Sequence, residues 1–542
     1  MSGAATSRTI RPAHWRMVVH TLIVMGGVLL SRLLGLVREA AINSRFAPPN
    51  PDLDAYVAAF RVPDFLYAVV IGGALATALI PVFQQVWQVE GEARAWQVAS
   101  AVLNLALLAL AVALMVVALA TGPLVRLLFP AEPPAQQHLI AGLTRLLLFS
   151  PLLLGLGGLA MGLLNARERF GLPTVAFNIY NLLIIFGAIM LAPRFGIWGV
   201  AYGLVAGAAL YLLVQLPGLV QAGMRYSPRL GLRDPAVWRV GRLILPRLIG
   251  QSAVHINFLA MTSFAALLPN NQIAPLNTAF QLMLVPHGIF VMSLVTVLFP
   301  RMSQLFGAGE HVAFRATTLR AIRLVVFVTM PVAMALALLR VPVIRLLFER
   351  GAFDATSTAL VAAPLLIYAT SMVGYAASEP LVRTFYAMHD TRTPVYVALA
   401  AVALNIGFGY AVVHWTAWGA PGLAFAFSVA NNLEALALLL LVLPRLGGAR
   451  GSHLFRSFAA TLASTLVMGG GLWALIAFSR PALPMIALEG PYGVGADAFR
   501  LAAWLVGVAV AGALIYLGTA ILLHAPEVRE ARALLQRRRP AE

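Results

Sequence analysis

The sequence predicts a polytopic all-α membrane protein, and three observations carry that prediction. Hydrophobic residues make up 61% of the 542 positions and charged residues 11%, with a mean hydropathy of +0.86. So few polar side chains cannot cover a water-facing exterior. Apolar windows of roughly 20 residues or more, long enough to cross hydrocarbon, recur about 14 times. Segments of the first half also reappear, in order, in the second. Together these give about 14 transmembrane helices: two six-helix bundles related by a parallel repeat, and two extra C-terminal helices.

The windows lie near 17–44, 54–88, 96–120, 136–165, 172–192, 197–222, 237–268, 275–306, 316–340, 355–388, 394–414, 419–444, 456–478 and 499–524. The first follows Arg8, Arg11 and Arg16 and carries no clear small-residue cleavage site, so it reads as a retained span. The expected organisation is an N-terminal segment at 1–16, a first bundle at 17–222 and a linker at 223–236. A second bundle follows at 237–444, then the last two spans within 456–524 and a basic tail at 525–542.

The repeat is read from matched stretches. LVRLLFP (124–130) answers VIRLLFE (343–349), and LPTVAFNIYNLLIIFGAIML (172–191) answers TPVYVALAAVALNIGFGYAV (393–412). GVAYGLVAGAALYLLVQLP (199–217) then answers GLAFAFSVANNLEALALLLLVLP (422–444). Equivalent spans lie six apart, an even number, so both halves run the same way through the membrane.

Charge placement orients the chain. Lysine is absent, so all 38 basic residues are arginine, and the net charge is +18. With the N-terminus inside, inside segments hold about 25 arginines and outside segments about 8, the bias expected of cytoplasmic loops. Arg225, Arg229, Arg233, Arg239 and Arg242 share one such loop, and Arg537, Arg538 and Arg539 end the tail. Both termini are therefore expected in the cytoplasm, and the positive charge is accounted for by topology and anionic lipid rather than nucleic acid.

Chemistry is bounded by what is missing. With no cysteine there are no disulfides, thiolate metal sites or cysteine nucleophiles, and with no lysine there is no Schiff base. The chain holds no GxxxxGK[ST], HExxH or GxSxG. No enzyme, cofactor or metal is expected. Two facing bundles imply a cavity near the midplane, the geometry of a transporter driven by an ion gradient, the membrane potential or its own substrate gradient.

Charges inside spans cost several kcal/mol each and are the default functional candidates. Span 1 carries Arg32, Arg38 and Glu39. At 3.6 residues per turn, Ser31 and Arg38 share one face and Arg32 and Glu39 another, the two faces roughly 100° apart. Span 2 carries Asp54, Arg61 and Asp64, with Pro63 and Gly72-Gly73 loosening its helix. Span 1, with more arginine than acid, reads as a wall offered to an anion, whereas Asp54 and Arg61 read as structural pairing. Arg145 reads as a snorkelling side chain, His255 as a packing residue, and Arg247 as a further cation of span 7. Gln281 is a candidate cavity residue of span 8, and Glu379, before Pro380, a candidate coupling acid.

Several stretches resemble the MurJ/MviN family of the multidrug/oligosaccharidyl-lipid/polysaccharide exporter superfamily: SRLLGLVREAAINSRF (31–46), DAYVAAFRVPDFL (54–66), GGALATALIP (72–81), NARERFGLP (165–173), LFERGAFDA (347–355) and FYAMHDTRTPV (385–395). The resemblance runs over nearly the whole chain. It implies a flippase that carries lipid II, a lipid-linked glycan pyrophosphate, from the inner to the outer leaflet of the bacterial cytoplasmic membrane by alternating access. It further implies contact with membrane lipids, a tail groove at spans 13 and 14, and cell-wall synthesis proteins as partners. Arg32, Arg38 and Glu39 match the family's span 1 charges, and Asp54 its span 2 entry acid. Two positions depart from the pattern. Tyr67 and Gly72-Gly73 stand where the family carries arginine and EGAF, and neutral Gln281 and Leu284 precede Pro286 where it carries arginine and glutamate. Arg61, Arg145 and Arg247 are the cations left to compensate. Two other readings stay open: an ion-coupled exporter of drugs or organic cations on the same fold, and a non-transporting scaffold for cell-wall or glycan enzymes.

Overall fold

The computed structural model describes residues 11–70, 74–167, 169, 171–224, 226–270, 272–448, 453–493 and 495–530; within its helices, the side chains of 11–25, 28–29, 69–70, 74–78, 80, 166 and 243–251 lie outside the description. The described residues are helical, with no strand among them. The first half runs α1 (Arg11–Arg45), α2 (Pro51–Val70), α3 (Ala74–Glu90), α4 (Glu92–Leu128), α5 (Pro134–Leu147), α6 (Phe149–Ala166), α7 (Gly171–Phe186), α8 (Ala192–Phe195), α9 (Ile197–Leu213) and α10 (Leu216–Gln221). The second runs α11 (Pro235–Ala266), α12 (Ile273–Pro286), α13 (Met292–Gly307), α14 (His311–Leu338), α15 (Arg340–Phe348), α16 (Ala355–Ala387), α17 (Arg392–Trp415), α18 (Gly419–Arg445), α19 (Leu454–Ser479) and α20 (Ala496–Leu522).

Among the described residues, eleven helices are long and apolar enough to cross a membrane, against the fourteen expected. The chain is a multi-pass membrane protein. The other expected spans fall on α1, α2 with α3, and α11, which are helical but not among the eleven. In α2 the reason is charge, since Asp52, Asp54, Arg61 and Asp64 share its 20 residues. In α11 the side chains of 243–251 lie outside the description, which leaves Ser252–Ala266 as its described apolar stretch.

The chain divides into two compact units, Met1–Phe46 with Pro51–Leu259, and Ala47–Asn50 with Ala260–Glu542. In the first, α7 packs on α1 and α9, and α3, α4 and α6 enclose a core of Leu66, Phe83, Trp96 and Leu163. The rings of Phe83 and Trp96 meet edge to face at 5.1 Å. In apolar solvent, helices gain little from hiding apolar surface, so close approach through small residues draws them together. Glycines supply it where α7 meets α9: a methyl group at Gly203 would lie 2.6 Å from the Leu183 carbonyl oxygen. One at Gly187 would lie 2.7 Å from that of Gly199.

In the second unit α16 packs against α12, α14 and α18, while α19 and α20 pack together against α14. Phe280, Tyr368 and Phe427 form a triangle with centroids 5.3–5.5 Å apart. The Tyr516 hydroxyl ties α20 to α14 by donating to the Phe327 carbonyl at 2.7 Å.

Two long helices contain a wide turn. At Gly187–Leu191 and at His287–Val291 the hydrogen bonds span five residues, Ala192 N–H to Gly187 O and Met292 N–H to His287 O. The second follows Pro286, which has no N–H to give the ladder.

The stretch FYAMHDTRTPV becomes the turn from α16 into α17. Asp390 accepts from the N–H groups of Arg392 and Thr393, both at 3.0 Å, and from the Thr393 hydroxyl at 2.6 Å, and it pairs with Arg445. Burial opposes the charge, but the Thr393 and Arg445 bonds outweigh it and hold the carboxyl well below the usual carboxylate range. What this turn adds to stability is therefore kept at neutral pH and lost progressively as pH falls from the ordinary carboxylate range through the lowered one.

The matched repeat segments diverge in role. Arg126, in the last turn of α4, is exposed. Its counterpart Arg345 is 1% exposed, lies 3.0 Å from Glu349, and donates to the carbonyls of Met485 at 2.9 Å and Leu488 at 2.7 Å. It fastens the connection between α19 and α20.

Two outcomes follow. Gly203→Val should lower stability by roughly 1–3 kcal/mol through overpacking, while Gly507→Ala, with open space around it, should stay within about 0.5 kcal/mol; thermal unfolding in detergent separates them. Arg345→Met should cost about 3–5 kcal/mol by stranding Glu349, and should speed proteolysis of the 480–495 segment.

Candidate functional site

The first unit holds the candidate site. Helix α1 brings Arg38 against α7, whose Asn181 faces it. The Arg38 guanidinium donates from Nη1 to Asn181 Oδ1 at 3.1 Å and from Nη2 to Glu39 Oε1 at 3.0 Å. These bonds use two of the five N–H donors a guanidinium carries, and the side chain is 23% exposed. Asn181 is held in turn by donating to the Phe177 carbonyl at 3.2 Å. Asn43 donates to the Glu39 carbonyl at 2.9 Å, fixing the last turns of α1.

Beside this network lies a cavity of about 270 Å³. Phe60, Pro63, Asp64 and Tyr67 of α2 form one wall, Ser150, Pro151 and Leu154 of α6 another, and Phe177, Tyr180 and Tyr211 close it. The cavity has room for several waters and mixes aromatic faces with a carboxylate and hydroxyls. Asp64 Oδ2 meets Nδ1 of His255, from α11, at 3.0 Å. A turn earlier, the Arg61 guanidinium lies over the Phe258 ring at 5.6 Å. Asp64 and Arg61 of α2 thus both reach α11, through an ion–imidazole contact and a cation–π contact.

The candidates separate as follows. Arg38, Glu39, Asp64 and His255 are brought into partnered positions, and Arg61 is half-buried against Phe258. Arg32 is exposed and makes no ion pair among the described residues, in keeping with a face turned away from that of Arg38. Asp54 is 1% exposed in the first turn of α2, where a negative charge suits the helix dipole. Arg145 is exposed on α5 and is not among the residues lining the cavity. Gln281 and Glu379 belong to the second unit, Gln281 half-buried on α12 and Glu379 paired with Arg383 at 3.5 Å. The side chain of Arg247 and the pair Gly72-Gly73 lie outside the described residues.

Sequence reasoning missed Asn181 and Arg383. Asn181 sits in NIYN, a polar interruption in an apolar span, and Arg383 stands four residues after Glu379, the spacing of a helical ion pair. Tyr67, noted only as a departure from a family pattern, lines the cavity.

Residues 49–489 match the family model described as "Lipid II flippase MurJ". The chain belongs to that family. A relative from Bdellovibrio bacteriovorus named "Probable lipid II flippase MurJ" is 30% identical, over 86% of this chain and 90% of its own. Among solved structures, "Lipid II flippase MurJ, inward closed conformation" aligns with a TM-score of 0.74 at 20% identity, covering 93% of this chain and 99% of that one. An inward-facing multidrug resistance MATE family transporter of the MOP superfamily aligns at 0.66 and 16% identity, covering 77% and 94%. The last two share this fold. The MurJ family suggested by SRLLGLVREAAINSRF and FYAMHDTRTPV is thereby confirmed.

If the Asp64–His255 contact joins α2 to α11, Asp64→Ala and His255→Ala should be non-additive. A double-mutant cycle on unfolding in detergent should give a coupling of about 0.5–3 kcal/mol; additivity would mean the two side chains act independently.

Proposed function

We propose that this chain is a flippase that carries lipid II from the inner to the outer leaflet of the bacterial cytoplasmic membrane by alternating access. The observation carrying this reading is the match of residues 49–489 to the lipid II flippase MurJ family. The geometry supports it through Arg38. An anionic pyrophosphate crossing a low-dielectric interior needs a cation that keeps its charge there and donates in a planar fork. Arg38 is such a cation, aimed by Glu39 and Asn181 and with donors beyond those two bonds. Arg32, one face away on the same helix, is the second charge an entering head would meet.

Movement follows from the same charges. A pyrophosphate head is drawn to the guanidinium and kept from hydrocarbon, where its transfer would be prohibitive. A membrane potential negative inside favours the outward passage of a net anion by about 2.3 kcal/mol per charge per 100 mV. The polyprenyl tail stays in lipid, with α19 and α20 as its apolar track. Both termini lie in the cytoplasm, as the arginine bias indicates. Asp64 with His255, and Glu379 with Arg383, are the titratable contacts through which an ion gradient would be coupled.

Arg38→Ala should reduce rescue of a flippase-depleted strain at least about tenfold, the loss of one charge-assisted hydrogen bond or more, at unchanged protein level. Arg38→Lys should rescue in part. Full activity of the Arg32→Ala/Arg38→Ala double variant would sink the role given to these residues. Efflux of cationic dyes driven by a proton gradient would instead favour the drug-exporter reading that the MATE-like fold allows.

A further inference from the structure

A second cavity, of about 490 Å³, opens at one end of the second unit, where α14 and α19 begin and the chain leaves α20. Helix α14 contributes Arg315, Arg320 and Arg323; His453 and Arg456 come from the start of α19, and His524, Arg529 and Glu530 from the segment after α20. Glu530 pairs with Arg320 at 2.7 Å and with Arg323 at 2.5 Å. Glu527 lies 3.6 Å from Arg323 and accepts from the Ser457 hydroxyl at 2.6 Å. Both acids are thus engaged with the inner arginines of α14, and two carboxylates face five guanidiniums. Arg456 and Arg529 are exposed and make no ion pair among the described residues.

Val312 lines this positive hollow, Phe455 adjoins Arg456 in the chain, and Leu522 ends α20 two residues before His524. Val312 and Phe455 are each 85% exposed and Leu522 is 76% exposed. A concave cluster of guanidiniums matches phosphate oxygens. An apolar rim beside it adds nothing for a soluble anion but suits acyl chains. On the arginine-bias orientation this end faces the cytoplasm, where anionic lipid headgroups concentrate positive side chains.

We propose that this cavity binds the phosphate headgroup of an anionic phospholipid, with Arg456 and Arg529 as the free cations that hold it and Val312, Phe455 and Leu522 against its chains. The site is distinct from the network at Arg38 and does not rest on the flippase reading.

The test uses the full chain in detergent, with phosphatidylglycerol, phosphatidylcholine and inorganic pyrophosphate as probes and native mass spectrometry as readout. Phosphatidylglycerol should be retained over phosphatidylcholine. Arg456→Ala and Arg529→Ala should each weaken it roughly fivefold, with a shallower salt dependence, while Arg126→Ala, at an exposed arginine that lines neither cavity, leaves it unchanged. A thermal midpoint equal to the parent's confirms that the variants fold; if the alanine pair shifts it, Arg456→Gln/Arg529→Gln replaces that pair. Equal retention of the two lipids, or undiminished phosphatidylglycerol binding by the double variant, overturns the proposal. So does pyrophosphate binding that the Arg456/Arg529 double variant loses, which would make the ligand of this cavity a soluble phosphate.

Discussion

A charge surrounded by hydrocarbon must find its partner inside the protein, and this requirement organises the molecule more than any other. Water is not there to share the cost, so a lone guanidinium or carboxylate in a span is disfavoured by several kcal/mol. Arg38 meets the requirement with Glu39 and Asn181, Asp64 with His255, and Glu379 with Arg383. Each arrangement fixes a side chain that would otherwise be among the most mobile in the chain. The same partners that make a charge tolerable therefore aim it, which is what a binding wall needs.

Apolar packing plays a different part. Because lipid is as apolar as leucine, helix pairs gain from fit rather than from escape from water. The glycines where α7 meets α9 and the aromatic triangle of Phe280, Tyr368 and Phe427 are such fits. The first brings α7 close to its neighbours, and α7 carries Asn181 to Arg38.

Much of the architecture was legible in the sequence because hydropathy reports span positions directly. The windows at 96–120, 355–388 and 419–444 fall on α4, α16 and α18, with their edges displaced by a few residues. The charged residues of spans 1 and 2 were legible as well, since charge is conspicuous in an apolar run. Their partners were not. Asn181 lies 143 residues from Arg38, and His255 lies 191 from Asp64, and no local pattern announces a contact formed only when helices pack. Arg126 and Arg345 make the same point. They are matched by sequence, yet one is exposed and the other clamps two backbone carbonyls, because only the second has a chain segment folded over it.

The wide turns at 187–191 and 287–291 leave a mark on everything downstream of them. Each accommodates one residue more than a regular turn, and one residue is worth about 100° of azimuth. Side chains of Ala192–Phe195 and of Met292–Gly307 therefore look out in directions that an uninterrupted helical wheel would misassign by more than a quarter of a revolution. The chain resets its own phase partway along a helix, at the expense of a single amino acid and without parting the rod.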